Sequence, residues 1–323
     1  MMLGIALFIF GLVLLLKGAD FLIEGSQSIA ERFNISDLVI GLTIVSFGTS
    51  LPELIVSVFA SLNGSTDLLI GNIFGSNISN ILLIAGSAAI VSKITIGHGT
   101  VWKEIPFSLL AALVVAILAN DILIDGTSVS QLSKSDGLIL LSFFAIFLYY
   151  VYGITKNTAE NQEKTKPKYS PYTSIAYILA GIICLFLGGQ WVVAGALTIA
   201  DYFQISESIV GLTILAIGTS LPELTTSVVA ALKKNADIAV GNVVGSNIFN
   251  LFLVLGVSAL INPVHFVAER NLDILMVIIA SVLFFLAANT GKEKMTLERH
   301  EGVFFLLIYF GYLAFLIINS GAI

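Results

Sequence analysis

A gapless internal repeat constrains this chain more than any other feature. Residues 41–60 read GLTIVSFGTSLPELIVSVFA, and residues 211–230 read GLTILAIGTSLPELTTSVVA. Residues 71–80 read GNIFGSNISN, and residues 241–250 read GNVVGSNIFN. The offset is 170 at every matched position, and it reaches more weakly to Gly11 with Gly181 and Gly18 with Gly188. Chance does not produce this, so the two halves arose by duplication.

The repeat is set in apolar runs. Of the 323 residues, 57% are apolar and 11% charged, against about 45–50% and about 25% in ordinary soluble domains. The excess must face lipid. A bilayer core of about 30 Å needs about 20 apolar residues per helix. Ten stretches serve, near 3–23, 38–61, 69–91, 104–120, 137–154, 172–198, 209–232, 238–261, 272–289 and 302–320. Helices are required because an isolated strand leaves its backbone unpaired in lipid, and the runs are too long for barrel strands. The first run has no basic region ahead of it and reads as a span rather than a removable signal.

The expected fold is therefore an all-α integral membrane protein with ten transmembrane helices. Residues 1–154 form a first repeat, 155–171 a hydrophilic cytoplasmic linker, and 172–323 a second repeat. Five spans per repeat is an odd number, so the second repeat enters the membrane from the opposite side. Inverted repeats of this kind are a common plan of secondary transporters, with the site between the repeats near the midplane. Loops after spans 1, 3, 5, 7 and 9 carry twelve Lys and Arg residues, while the opposite loops and termini carry only Lys134 and Arg270. That bias puts both termini outside.

The net charge of −6 leaves no basic surface for nucleic acid. One cysteine, Cys184, excludes a disulfide framework and reads as a packing residue. His98, His265 and His300 have no metal-ligand spacing, and no nucleophile–base pair points to an enzyme.

The polar residues inside the spans carry the chemistry. Thr43, Ser46, Ser50, Glu53 and Ser57 fall on one helical stripe, as do Thr213, Ala216, Ser220, Glu223 and Ser227. Asn72, Ser76 and Asn80 form another, mirrored by Asn242, Ser246 and Asn250. A charge at the bilayer centre costs about 2.5–3.5 kcal/mol on insertion scales. No span offers a Lys or Arg to Glu53 or Glu223, so a cation or a proton must neutralise them. Pro52 and Pro222 precede the glutamates. Proline has no N–H, so the carbonyls of Gly48 and Gly218 lose their helical partner, and freed carbonyls at membrane depth line cavities or bind ions.

Hard cations take oxygen: calcium binds about 6–8 oxygens in adaptable geometry, whereas magnesium demands a stricter octahedron. Two glutamates balance a divalent ion in charge and, with carbonyls near Thr49 and Thr219, favour Ca²⁺ over a lone Na⁺. Zinc would recruit Cys or His. The Gly71-x-x-x-Gly75 and Gly241-x-x-x-Gly245 spacings read as close-packing faces bringing spans 3 and 8 to the glutamate helices. Asn77 and Asn247 lie off the stripe and are expected to hydrogen-bond between helices.

GTSLPE followed by GNxxGSNxxN, occurring twice, resembles the two alpha-repeats of the cation/calcium exchanger superfamily, specifically its sodium/calcium exchanger branch. The motifs cover about a quarter of the chain and the resemblance covers the whole ten-span plan. It implies Na⁺/Ca²⁺ antiport by alternating access in a plasma (inner) membrane of prokaryotic type. Ca²⁺ and Na⁺ are then substrates, with no prosthetic group and no protein partner. By the motif, Glu53 and Glu223 coordinate Ca²⁺ and share the Na⁺ sites, and Thr49 and Thr219 lend carbonyls. Ser50, Ser220, Ser76, Ser246, Asn80 and Asn250 complete the set, and Ser46 and Ala216 are its small-side-chain positions. Asn250, where some relatives carry Asp, argues against potassium co-transport. The resemblance also implies that spans 1 and 6 slide across the other eight, and their glycines suit a smooth sliding face. Ca²⁺/H⁺ exchange on the same scaffold is the alternative reading. A channel would need a charged ring that is not evident here.

Overall fold

The computed structural model describes residues 2–159, 167–202, 218–290 and 293–319. Helices carry the architecture. In chain order they are α1 (Met2–Phe33), α2 (Asp37–Thr49), α3 (Leu51–Leu62), α4 (Thr66–Val91), α5 (Thr100–Leu118), a short α6 (Asp121–Asp125) and α7 (Lys134–Ala159). The second half continues with α8 (Pro171–Tyr202), α9 (Leu221–Leu232), α10 (Ala236–Ile261), α11 (Asn271–Thr290) and α12 (Arg299–Asn319). Among the described residues, eight helices are long and apolar enough to cross a membrane, or nine if the bent pair α2–α3 is one span. The first part of the expected seventh span, residues 209–217, lies outside the described residues.

Short strands tie the loops between the helices. Four two-residue strands pair across the halves: β1 (Ile94–Thr95) with β4 (Thr296–Leu297), and β2 (Gln131–Leu132) with β3 (Val264–His265), both antiparallel. Several boundaries also move. The first helix continues to Phe33 and the fifth span to Ala159, past the apolar stretch in each case. Hydropathy marks only the part of a helix that lipid covers, whereas the backbone ladder continues into water.

Phe10, Leu3, Phe304 and Leu307 are exposed on the outer faces of α1 and α12, as suits lipid-facing helices. The most buried spans are α4 and α10, which form the centre of the bundle and carry the GNxxGSN motifs.

Helices α1 and α8 run antiparallel along a ladder of small residues. Gly4 faces Gly195, Gly11 faces Gly188, Gly18 faces Gly181, and Gly25 faces Ser174. A methyl group on Gly181 would stand 2.6 Å from the Leu22 backbone nitrogen. These glycines therefore bring the two helices into mutual contact. Those glycines of the expected sliding face thus serve van der Waals adhesion between α1 and α8, while Gly189 faces the second glutamate segment, where its Cβ would lie 3.8 Å from Pro222.

A second close crossing joins α2 to α10. A Cβ on Gly241 would lie 2.9 Å from the Gly41 Cα, and one on Gly245 would lie 2.6 Å from Ser46 Oγ. The packing role read for this glycine pair holds in the second repeat, toward α2. Gly211 and Ala216, the repeat counterparts of Gly41 and Ser46, lie outside the described residues.

Candidate functional site

The GTSLPE motif breaks its helix. Ser50 sits at φ −83°, ψ 6°, and Ser220 at φ −83°, ψ 1°, both outside the helical region. The two parts of the second span meet at 48°. Pro52 cannot donate to the Gly48 carbonyl, so the ladder opens here. A new helix then starts at Leu51, and its counterpart at Leu221, with the glutamate in the first turn of each. A helix N-terminus carries unpaired N–H groups and a partial positive charge, which favours an anion. The break thus places Glu53 and Glu223 where a carboxylate is best tolerated in an apolar bundle.

Both glutamates are buried, Glu53 at 0% exposure and Glu223 at 1%. Glu53 Oε1 accepts from Ser76 Oγ at 3.4 Å, and Glu223 Oε1 accepts from Ser50 Oγ at 3.2 Å. The second contact crosses between the halves. The Oε2 atoms of both glutamates are buried without a hydrogen-bond partner among the described residues. No ion pair among the described residues involves either glutamate.

Asparagines surround them. Asn72 Nδ2 donates to the Glu53 backbone oxygen at 3.2 Å and to Ser57 Oγ at 3.0 Å. Asn242 Nδ2 does the same to the Glu223 oxygen at 3.4 Å and to Ser227 Oγ at 2.9 Å. Thr49 Oγ1 donates to Asn242 Oδ1 at 3.0 Å, and Thr219 Oγ1 to Asn72 Oδ1 at 3.5 Å.

Asn80 Nδ2 donates to Asn247 Oδ1 at 3.0 Å. The counterpart bond, Asn250 to Asn77, is not made: both polar atoms of Asn250 and Asn77 Oδ1 are buried without a partner among the described residues. Asn77 instead donates to the Ile73 carbonyl of its own helix at 2.8 Å, which corrects its expected helix-to-helix role, while Asn247 fulfils it. Asn80 and Asn250 lie in π-helical stretches, Ser79–Ala85 and Phe249–Val254. Such widened turns recur at functional sites because they turn side chains and carbonyls off the regular ladder.

The structure brings half of the expected constellation together: Glu53 with Ser76 and Glu223 with Ser50, and Thr49 and Thr219 onto the asparagines. Ser220 and Ser246 are buried nearby in sequence, and their hydroxyls have no partner among the described residues. Ser46 is set apart, donating to the Thr43 carbonyl at 3.3 Å and packing on Gly245. Ala216 lies outside the described residues. Two clustered carboxylates with hydroxyl and amide oxygens make an oxygen-only set suited to hard cations. No group of three or more His, Cys, Asp or Glu is found among the described residues.

The known proteins this chain resembles point the same way. The family model described as sodium/calcium exchanger protein matches residues 3–153 and 173–318. The chain belongs to the sodium/calcium exchanger family. It is 36% identical over 311 residues to the putative antiporter CaxA of Alkalimonas amylolytica, covering 94% of this chain and 95% of that one. It is 30% identical over 342 residues to the sodium/calcium exchanger MaX1 of Methanosarcina acetivorans, covering 95% and 96%. A more distant relative, 27% identical with 80% and 78% covered, is the Ca(2+)/H(+) antiporter ChaA of Bacillus subtilis. The fold is similar to the solved sodium-calcium exchanger NCX_Mj, with TM-score 0.82, 34% identity, and 97% and 98% of the two chains covered. The family is one of membrane antiporters, not enzymes, so the chain is a multi-pass cation/calcium exchanger.

Sequence reasoning missed two more carboxylates. Glu104, 1% exposed, accepts from the Tyr150 hydroxyl, and its Oε2 is buried without a partner among the described residues. Asp273, 8% exposed, accepts from Tyr312 at 2.5 Å and pairs with Arg270. Hydropathy puts Glu104 at the boundary of its span. A π-helical stretch, Thr100–Glu104, carries that helix further and draws it inside.

Proposed function

We propose that this family member exchanges Na⁺ for Ca²⁺ by alternating access, with ions held at Glu53 and Glu223. The observation that carries this is the pair of wholly buried glutamates, each with one unpartnered carboxylate oxygen, ringed by hydroxyls and amides of both halves. Two carboxylates match the charge of one Ca²⁺; three Na⁺ at the same place leave a net positive charge, so exchange at that ratio would move charge. Ser50, Ser76, Ser220, Ser246, Asn80, Asn250 and the carbonyls near Thr49 and Thr219 are the remaining proposed oxygen donors. The names of MaX1 and NCX_Mj support the Na⁺/Ca²⁺ pairing. ChaA supports the second reading, in which the same glutamates carry protons.

The proposed topology is ten spans in two inverted repeats, in the plasma (inner) membrane, with both termini outside. Contacts between loops support it. Lys93 pairs with Glu293, which joins the loops after spans 3 and 9. Arg270 pairs with Asp67 at 3.0 Å, which joins the loops after spans 8 and 2. The strand pairs β1–β4 and β2–β3 obey the same parity. The antiparallel α1–α8 ladder is what inversion requires of the first helix of each repeat.

The deciding experiment is ⁴⁵Ca²⁺ uptake into proteoliposomes preloaded with Na⁺, compared with choline-loaded vesicles at matched pH. Uptake that requires internal Na⁺ is expected. Uptake that ignores Na⁺ and follows an imposed pH gradient would replace this reading with Ca²⁺/H⁺ exchange.

A further inference from the structure

Asn72 and Asn242 have their amide hydrogens and oxygen committed to the protein. Each Nδ2 faces a glutamate carbonyl and a serine oxygen, at 3.2 and 3.0 Å for Asn72 and at 3.4 and 2.9 Å for Asn242. A backbone carbonyl has no hydrogen to give, so it fixes which end of the amide faces it. Oδ1 must then face the threonine of the other half, Thr219 for Asn72 and Thr49 for Asn242.

The consequence is chemical. An amide oxygen accepts only, so it draws the threonine hydroxyl proton, at 3.0 Å for Thr49 and 3.5 Å for Thr219, in competition with the glutamate carboxylate of the opposite repeat that each threonine also faces. For Thr49 the alternative acceptor on its own helix, the Ser46 carbonyl, is more distant at 3.3 Å against 3.0 Å. Each asparagine also grips the backbone at the glutamate itself, one residue past the proline break.

We propose that Asn72 and Asn242 are positioning residues that tie each glutamate segment to the broken turn of the opposite repeat. Asn242 links Glu223 to Thr49, and Asn72 links Glu53 to Thr219. The two half-sites are therefore set jointly: a shift of one Gly-Thr-Ser turn is carried through one amide to the other repeat's glutamate. This rests on the reading of the glutamates as the cation site.

The test is Ca²⁺ dependence of uptake into Na⁺-loaded proteoliposomes for Asn242→Ala, Thr49→Val and Thr219→Val, singly and in pairs, with wild type and Glu223→Gln alongside. Each threonine variant should raise KM for Ca²⁺ by about tenfold, the scale of one buried hydrogen bond lost, and Asn242→Ala, which loses three, by about tenfold or more. Asn242→Ala with Thr49→Val should stay near the effect of Asn242→Ala alone, because that variant already removes the bond to Thr49. Asn242→Ala with Thr219→Val should approach about a hundredfold, because they lie on separate arms. If Asn242→Ala does not elute as a monodisperse protein, Asn242→Asp takes its place, since it keeps Oδ1 and loses both donors.

A lowered maximal rate with unchanged KM would overturn the proposal, because that is what loss of folded protein alone produces. A hundredfold effect in the first pair would overturn the coupling. Uptake abolished by Glu223→Gln beside unaffected asparagine variants would sink the positioning role alone. Absent wild-type uptake, or uptake intact in Glu223→Gln, would remove the cation-site reading and this proposal with it.

Discussion

A carboxylate held away from water needs an opposite charge, a proton or hydrogen bonds, and the described residues set hydroxyls rather than cations beside these two, Ser76 and Thr219 at Glu53 and Ser50 and Thr49 at Glu223. On the proposed reading the transported cation meets the rest of that demand. Glu53→Gln or Glu223→Gln should leave the fold intact and lower Ca²⁺ uptake by about a hundredfold or more, since a buried charge partner is worth about 3–5 kcal/mol. Retained uptake in both variants, with normal elution, would remove the assignment. Glu104 differs, because Tyr150 already serves it. Tyr150→Phe should cost about 1–3 kcal/mol of stability by leaving a buried acceptor unpaired. It should leave KM for Ca²⁺ unchanged, and a thermal melt in detergent beside the uptake assay reads both quantities.

At the scale of elements, the proline break and the α1–α8 ladder do different work. Pro52→Ala restores an N–H opposite the Gly48 carbonyl and allows the 48° bend to close. The expected result is a rate of Ca²⁺ uptake lower by about tenfold, the effect of misplacing a binding group by a fraction of an ångström. An unchanged rate would mean that the break is only a packing kink. Gly181→Val forces a side chain into the Leu22 backbone and should lower the thermal midpoint measurably, since overpacking costs about 1–3 kcal/mol. Nearby, Lys233 bridges to Asp20 at 2.8 Å and Glu24 at 3.6 Å, while Lys168 and Tyr169 also bind Glu24. The Glu24 carboxylate pushes the Lys168 ammonium pKa upward, so this exposed tie stays charged at neutral pH.

For the whole molecule, parity of the loops is the measurable property. In a Cys184→Ala background, Thr127→Cys and Lys294→Cys each place one exposed thiol on opposite proposed faces. An impermeant maleimide added to intact cells should label the first and spare the second. The reverse pattern would invert the orientation read from the twelve basic residues. Labelling of both would break the ten-span plan.

The sequence by itself determined that this chain is a duplicated, helical membrane protein with a glutamate after each proline break. Those facts depend on local composition and on identity at a fixed offset, and both can be read one residue at a time. Only the tertiary structure decided which oxygens meet. The stripe through Ser46, Ser50 and Glu53 assumed one straight helix, but the break at Ser50 and the widened turns rotate its members. Ser46 therefore packs on Gly245 while Ser50 reaches Glu223 in the other half. The glycines of α1 could be seen in the sequence, but their partner could not, because spacing defines a face and only packing supplies what lies against it. Burial of Glu104 and the cross-repeat bonds of Asn72 and Asn242 likewise depend on contacts between segments far apart in the chain, which no local pattern encodes.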